Sequence, residues 1–208
     1  YAMVDVKDRN ITTNYGVNKK WEITDKNKQN VLRTPLVDAN EKIYDFANVL
    51  TEEEVRAIHL MINEFTKKNI MDLVIVTVKF PYTNDKENED YAADFYDYND
   101  FGINFEKYNG VLLLRNTYEV DPYYNMYMFG DAQLYFSPTR SDNILDAIYN
   151  DLHSKNYLDG FRTFIEKVDF YSNSIDINMK NYYVDDMGYL HKKYVFPWFI
   201  AILISGIG

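Results

Sequence analysis

The sequence predicts an α/β protein: a three-layer α/β/α sandwich with a central, mostly parallel sheet, followed by a hydrophobic anchor segment. Two runs, 71–78 (MDLVIVTV) and 111–114 (VLLL), are almost continuously apolar and rich in branched side chains. Such runs are typical of strands that are buried on both faces. Segments with helical spacing of apolar residues lie around them, and this alternation indicates helices packed on a sheet. We therefore predict one domain over 43–172.

The first helix of this domain has the clearest start signal in the chain. Glu54 follows Thr51 by three residues, so each side chain can bond the backbone N–H of the other in a capping box. At the other end of the helix, Asn69 is the residue that we expect in the left-handed conformation. The apolar residues between these ends follow helical spacing: Val55, Ile58, Ile62 and Phe65.

The middle of the domain alternates again between helix and strand. A second, short helix begins at Tyr91, and the pair Asn109-Gly110 stands directly before the strand 111–114. An Asn-Gly pair can mark a tight hairpin, but a strand entered from a helix fits the flanking segments better. The run 123–129 (YYNMYMF) is predicted as the next strand.

Two further helices complete the predicted domain. The first begins at Ser137-Pro138 or at Ser141, since proline is tolerated in the first turn of a helix. The second begins at Asn156 or Leu158 and ends at Tyr171. Their apolar faces consist of Ile144, Leu145, Ile148 and Leu152 in the first helix, and Phe161, Phe164, Ile165 and Val168 in the second.

The segments on either side of the domain differ from it in composition. We predict a polar N-terminal arm or linker over 1–42 and a polar linker over 173–193. The last segment, 194–208 (YVFPWFIAILISGIG), carries no charge. It is shorter than the roughly 20 residues of a membrane-spanning helix. We interpret it as the start of a transmembrane helix, with a core-packing element and an interfacial anchor as the alternatives.

Composition and charge exclude several classes of function. The net charge of −10 argues against a nucleic-acid partner, which needs a basic surface, and favours a cation or a basic protein partner. The absence of cysteine excludes thiol catalysis and thiolate metal sites. The three histidines are scattered, and neither a zinc-binding spacing nor a glycine-rich nucleotide loop occurs. The many tyrosines favour an interaction surface as a minor hypothesis.

One acidic cluster is dense enough to suggest a cation site. It runs from 85 to 100, and its last part resembles a calcium loop. An EF-hand needs oxygen ligands at the fifth and twelfth loop positions, where this chain has Phe101 and Tyr108. A different oxygen-rich site and a solvated acidic face both remain open. The cluster consists of Asp85, Glu87, Glu89, Asp90, Asp94, Asp97 and Asp100.

Several blocks, in order, resemble the TPM domain family. The first is 43–51 (IYDFANVLT) with the Glu run after it, and the second is the strand 73–78 followed by Tyr91-Ala92 and 101–103. The third is 109–114 (NGVLLL), in which an Asn-Gly pair enters an apolar strand, and 157–160 (YLDG) resembles the entry to the family's final helix. The blocks cover about 43–170.

The resemblance implies a fold, a location and a set of activities. Family members are three-layer α/β/α domains, usually secreted or anchored beside a transmembrane helix. They are linked to calcium binding, to acid phosphatase activity in thylakoid repair proteins and to modulation of membrane receptors. If a cation site carries over, Asp45 and Asn109 are the matching ligand positions for Ca²⁺. Tyr108 and the segment 130–133 (GDAQ) depart from the family pattern and remove candidate oxygen ligands.

Three functions follow as hypotheses. The first is a membrane-tethered, extracytoplasmic module for protein interaction, assembly or repair. It has no catalytic residues, an unidentified protein partner and Ca²⁺ as its one candidate cofactor. The second is a metal-assisted acid phosphatase in which Asp45 and neighbouring carboxylates hold the ion. The third is a soluble acidic binding protein whose C-terminal tail is part of its core.

Overall fold

The computed structural model describes residues 12–13, 21–22, 42–82, 84–98, 101–102, 109–118, 123–186 and 188–194. The predicted arm over 1–42 and the predicted anchor over 194–208 lie almost wholly outside these residues. Within the arm, two short strands pair antiparallel: β1 (Thr12–Thr13) and β2 (Trp21–Glu22). No helix in the described part of the chain is both long enough and apolar enough to cross a membrane.

The centre of the fold is a mixed four-stranded sheet with the strand order β3-β4-β5-β6. The first three strands are parallel, and β6 runs antiparallel to β5. The prediction of a mostly parallel sheet is therefore confirmed: three of the four strands are parallel, and β6 is the exception. The strands are β3 (Ile43–Asp45), β4 (Asp72–Val78), β5 (Gly110–Asn116) and β6 (Tyr123–Phe129).

Helices flank both faces of this sheet. The described helices are α1 (Glu52–Asn69), α2 (Asp85–Tyr98), α3 (Ala132–Tyr135), α4 (Pro138–His153), α5 (Tyr157–Ser172) and α6 (Ile177–Asn181). A hairpin of β7 (Tyr182–Val184) and β8 (Leu190–Lys192) follows α6. Two separate apolar cores, one on each face of the sheet, hold the helices in place.

The two cores divide the side chains of each central strand between them. Leu73 and Ile75 point into the larger core, which α1, α4 and α5 cover. Val74 and Val76 point into the smaller core, which α2 covers with Phe95. The alternation follows from the two-residue period of a strand. It explains why these runs are apolar throughout, as the sequence indicated.

The ends of α1 are fixed by different means. The predicted capping box is present: Thr51 Oγ1 accepts from the Glu54 N–H at 3.3 Å, and Glu54 Oε2 accepts from the Thr51 N–H at 2.7 Å. At the other end, the left-handed residue is Ile70 (φ 49°) and not Asn69, so that expectation was wrong. Asn69 ends the helix instead through its side chain, whose Nδ2 donates to Phe65 O at 3.1 Å and to Asp169 Oδ1 at 2.7 Å.

The segment after α5 is folded onto the domain, whereas we had predicted a polar linker over 173–193. Arg140 of α4 holds its beginning: the guanidinium donates to Ser174 O at 3.0 Å and to Ile175 O at 2.6 Å. Its Nε also pairs with the buried Asp176 carboxylate at 2.7 Å. Ser137 Oγ donates to the same carboxylate at 2.9 Å. Polar contacts therefore attach the beginning of this segment to the domain.

Candidate functional site

Asp45, the first predicted metal ligand, lies at the carboxyl end of β3 and stabilises the turn into α1. Its carboxylate accepts the backbone N–H of Val49 at 3.1 Å and that of Leu50 at 2.8 Å. The Thr77 hydroxyl of the neighbouring strand donates to Oδ1 of the same carboxylate. Asn48, within the turn, has the left-handed φ of 53°. Asp45 therefore joins β3, β4 and the start of α1 through protein donors.

Asn109, the second predicted ligand, lies at the amino end of β5. Its backbone carbonyl accepts from the Asp72 N–H at 3.0 Å, and its Nδ2 donates to Ile70 O at 3.2 Å. Its Oδ1 is buried and has no hydrogen-bond partner in the described part of the chain. Asn109 thus joins the end of α1 to the start of β5. Its amide oxygen, which accepts no described hydrogen bond, is the atom that would act as a metal ligand.

The structure does not bring Asp45 and Asn109 together. Asp45 pairs with Thr77 at the carboxyl end of β4, whereas Gly110, next to Asn109, pairs with Asp72 at the amino end. Five residues of an extended strand separate the two positions by about 16 Å. Calcium ligands lie within about 2.6 Å of the ion, so one ion cannot contact both residues. Metal binding at either residue alone stays a prediction.

Carboxylates and histidines elsewhere do not form a metal centre in the part of the chain that the structure describes, where no group of three or more metal-ligating side chains converges. The acidic cluster on α2 is divided between solvent and core, since Asp94 is buried and Asp85 is exposed. The side chain of Asp97 and all of Asp100 lie outside the described part.

Arg115, which sequence reasoning did not single out, is a buried cation near the carboxyl end of β5. It is 4% exposed. Its guanidinium donates to Leu152 O, in the last turn of α4, at 3.2 Å and to Tyr123 O at 3.3 Å. Burial lowers the pKa of Arg115, and the nearby Tyr157 partly opposes that shift. Because a cation is favourable at a helix C-terminus, Arg115 stabilises the fold.

In the described part of the chain, an open cleft with a volume of about 430 Å³ lies beside β6. Four consecutive residues of that strand line it, from Asn125 to Met128. Successive side chains of a strand point to opposite faces, so a cavity that contacts four in a row lies along the edge of the strand. β6 is the last strand of its sheet, and no described strand pairs with its outer edge.

The walls of this cleft come from opposite faces of the sheet. Helix α2 contributes Glu89 and Asp90 from one side, and α4 contributes Asp142 and Leu145 from the other. Phe136, between α3 and α4, adds to the apolar part of the lining. The acidic residues of α2 were visible in the sequence as a charged cluster, but the cleft was not. Its formation depends on how β6, α2 and α4 pack together.

The C-terminal segment forms part of the wall of the cleft. Asn178, Tyr182 and Leu190 belong to that segment and line the cleft. Gln133 of α3 fixes their position, because its Nε2 donates to Gly188 O at 2.9 Å and its backbone carbonyl accepts from Asn178 Nδ2 at 3.0 Å. The residues that we had predicted as a linker therefore contribute to the candidate site.

The charges around the cleft are unbalanced. Three carboxylates line it, those of Glu89, Asp90 and Asp142, against the single ammonium group of Lys86. Lys86 Nζ lies 2.8 Å from Asp90 Oδ1, so these two charges largely offset each other. Met126 and Met128 supply flexible apolar contact area on the strand itself. The arrangement is suited to a ligand that carries both apolar and positively charged groups.

Comparisons with known proteins agree with this architecture. The sequence model of the TPM domain family matches residues 43–170. The chain is 26% identical over 129 residues to UPF0603 protein YdjH of Bacillus subtilis (strain 168), which covers 62% of the chain and 47% of that protein. The chain thus spans about half the length of this curated relative.

A solved structure shows the same fold. The N-terminal domain of a protein from P. gingivalis, determined by solution NMR, superposes with a TM-score of 0.50 at 19% identity. The match covers 65% of this chain and 84% of that domain. The family match extends from β3 through α5, which includes the whole central sheet and the helices on both of its faces. This chain belongs to the TPM domain family.

Proposed function

We propose that this chain is a protein-interaction module without catalytic residues, and that the cleft beside β6 is its binding surface. The observation that carries the proposal is an open strand edge with apolar lining and an acidic rim. The rim is open to solvent, since Lys86, Pro138 and Asp142 are exposed. An open groove of this kind accepts a segment of a larger molecule, which an enclosed pocket does not.

The proposal includes a location. The uncharged run 194–208 supports tethering at a membrane. Membership of the TPM domain family supports placing the domain on the extracytoplasmic side. Deletion of residues 194–208 then moves the protein from the membrane fraction to the aqueous fraction and leaves the melting temperature unchanged. A fall in melting temperature on the same deletion would identify the run as part of the core instead.

Site-specific photo-crosslinking in the native host tests the binding surface. A benzophenone side chain replaces Asp142 on the rim of the cleft in one variant. In the matched control it replaces Glu166, an exposed carboxylate on α5 that does not line the cleft. A discrete adduct with a second protein is expected from position 142 alone. Equal adducts from both positions, or none from 142, would show that the cleft is not the binding surface.

The phosphatase hypothesis receives less support from the geometry. Its central residue, Asp45, directs its carboxylate to two backbone N–H groups and the Thr77 hydroxyl. A catalytic metal needs several converging oxygen ligands with open positions for substrate. Asp45 therefore stabilises the turn after β3. We do not assign it a role in phosphate-ester hydrolysis.

A further inference from the structure

We propose that the cleft binds an extended, basic segment of the partner protein as an added strand beside β6. The inference deepens the proposed function and rests on it. Edge strands present unpaired backbone N–H and C=O groups, which a second extended chain can use as a template. Here no described strand pairs with the outer edge of β6, and α2 and α4 flank that edge from opposite faces of the sheet. The added segment would therefore lie in the layer of the sheet itself.

The length of the open edge sets the length of the ligand. β6 comprises seven residues, all paired with β5 on the inner side. The cleft follows residues 125–128 of this strand. Four strand residues extend over about 13 Å. A segment of about six to eight residues is sufficient to pair along this edge and to contact the walls beyond it.

The two walls differ, and this difference predicts the pattern of the ligand. Met126 and Met128 point to the face that α4 covers, where Leu145 also packs. On the other face, α2 presents Glu89 and Asp90 to the cleft. Since successive side chains of the added strand point to opposite faces, apolar residues would meet α4 and basic residues would meet α2. The ligand thus alternates between apolar residues and Lys or Arg.

A second copy of the chain is the competing occupant of a free strand edge. Pairing of β6 with β6 would bring the two sets of rim carboxylates together, and each chain carries a net charge of −10. Like charges across an interface oppose association. The charge of the cleft therefore favours a basic peptide over self-association.

The probe is a fluorescein-labelled octapeptide of alternating lysine and valine, titrated with the full chain and followed by fluorescence anisotropy. Saturable binding is expected, and it should weaken as salt is added because salt screens the charge attraction. The octapeptide of alternating glutamate and valine should not bind. Failure of the lysine–valine peptide to bind, or equal binding of both peptides, would overturn the proposal.

Charge reversal locates the binding. The variant Glu89→Lys should bind the lysine–valine peptide roughly fivefold more weakly, since an attractive contact between the α2 wall and a basic side chain becomes repulsive. The matched control Glu166→Lys changes an exposed carboxylate away from the cleft and should leave the affinity unchanged. Equal weakening by the control would mean that the peptide senses only the overall charge of the protein, and the proposal would be wrong.

N-methylation tests the strand pairing itself. In an extended peptide, the N–H groups of the lysines point to one edge and those of the valines to the other. Methylation of one set alone should weaken binding at least about tenfold, because several backbone hydrogen bonds are lost together. If neither set or both sets matter equally, the peptide does not bind as a strand. Crosslinking at position 142 would then still stand, so this failure is distinct from failure of the proposed function.

Discussion

The two ends of the parallel strands hold the two residues that the sequence proposed as one metal site, and each end uses its polar residues differently. At the carboxyl end, Asp45 accepts hydrogen bonds from the turn that follows it. At the amino end, Asn109 and Gly110 allow close packing between a loop, a strand and a helix. The comparison shows that residues with equally suitable ligand chemistry can have separate structural roles. Five experiments test these roles and the packing around them.

The largest effect is expected at the carboxyl end, from Asp45→Ala. The change removes one charged acceptor and leaves two backbone N–H groups and the Thr77 hydroxyl without it. Hydrogen bonds to charged groups contribute about 1.5–3 kcal/mol each, so we expect a loss of about 3 kcal/mol in the free energy of unfolding. Urea denaturation measures it. Asp142→Ala, at an exposed position, serves as the control and should change the free energy by about 0.5 kcal/mol or less.

At the amino end, Gly110→Ala should destabilise the domain by about 2 kcal/mol through overpacking. A Cβ at this position would lie 2.0 Å from Tyr96 Oη and 3.0 Å from both Cβ and O of Asp72. The second change, Tyr96→Phe, removes the closest of these atoms. Thermal melting of the double variant should show partial recovery relative to Gly110→Ala. No recovery would mean that the hydroxyl is not the limiting contact.

The neighbouring change Asn109→Ala should cost less, about 1 kcal/mol. It removes the hydrogen bond from Nδ2 to Ile70 O and leaves that carbonyl without its described side-chain partner. It also removes a buried Oδ1 that has no described partner, which offsets part of the cost. Asn109→Asp is the informative second variant, because a carboxylate retains the shape but cannot donate to Ile70 O. Equal stability of wild type and Asn109→Asp would contradict the assigned donor role.

A smaller loss of stability is expected when acid protonates Asp169. Asp169 and Lys68 form a partly exposed ion pair, so the loss should be below about 1 kcal/mol. Burial alone would raise the pKa of Asp169, but hydrogen bonds from Lys68, Asn69 and Asn173 lower it below its ordinary value of 3.8. Since the folded pKa is depressed, the stabilisation is present above pH 3.8 and is lost as the pH falls through the folded value. Melting temperatures between pH 5 and pH 3 should therefore fall more steeply for wild type than for Asp169→Asn.

The smallest effect is expected from Ca²⁺. Asp45 and Asn109 lie too far apart to bind one ion together, so a shared ion should not stabilise the domain. A ligand present at a hundredfold excess over its dissociation constant stabilises a protein by about 2.7 kcal/mol. Melting is compared in EDTA and in millimolar Ca²⁺ for wild type, Asp45→Asn and Asn109→Ala. A shared ion would raise the melting temperature of wild type in Ca²⁺, and both variants would lose that rise. We do not expect this result. Such a rise would show that one ion joins the two residues, and the comparison of the two ends would fail.

Local signals in the sequence predicted the elements that depend on nearby residues. Thr51 and Glu54 fixed the start of α1 because a capping box needs only four consecutive residues. Of the two starts that the sequence left open for α4, Ser137-Pro138 and Ser141, the first is correct, and proline in the first turn is the local signal for it. Asn69 misled, because its preference for the left-handed conformation was outweighed by side-chain hydrogen bonds to Phe65 and Asp169, and Ile70 took that conformation instead.

The candidate site was less predictable, because its residues come from distant parts of the chain. Glu89 on α2, Met126 on β6 and Asp142 on α4 line the same cleft. No spacing rule connects them, since they meet only where the sheet ends. The polar segment after α5 gave no apolar pattern to read. Its attachment depends on Arg140, which donates to carbonyl groups more than thirty residues away.

The sequence alone determined the family, the order of helices and strands from α1 to α5 apart from the short α3, and the burial of β4 and β5, since these follow from local patterns of apolar and capping residues. The tertiary structure decided three further properties: that Asp45 and Asn109 lie apart, that residues 173–193 fold onto the domain, and that β6 has an open edge. Each of these depends on strand order and on long-range hydrogen bonds. Neither of those is encoded in the spacing of neighbouring residues, so no local pattern could have revealed them.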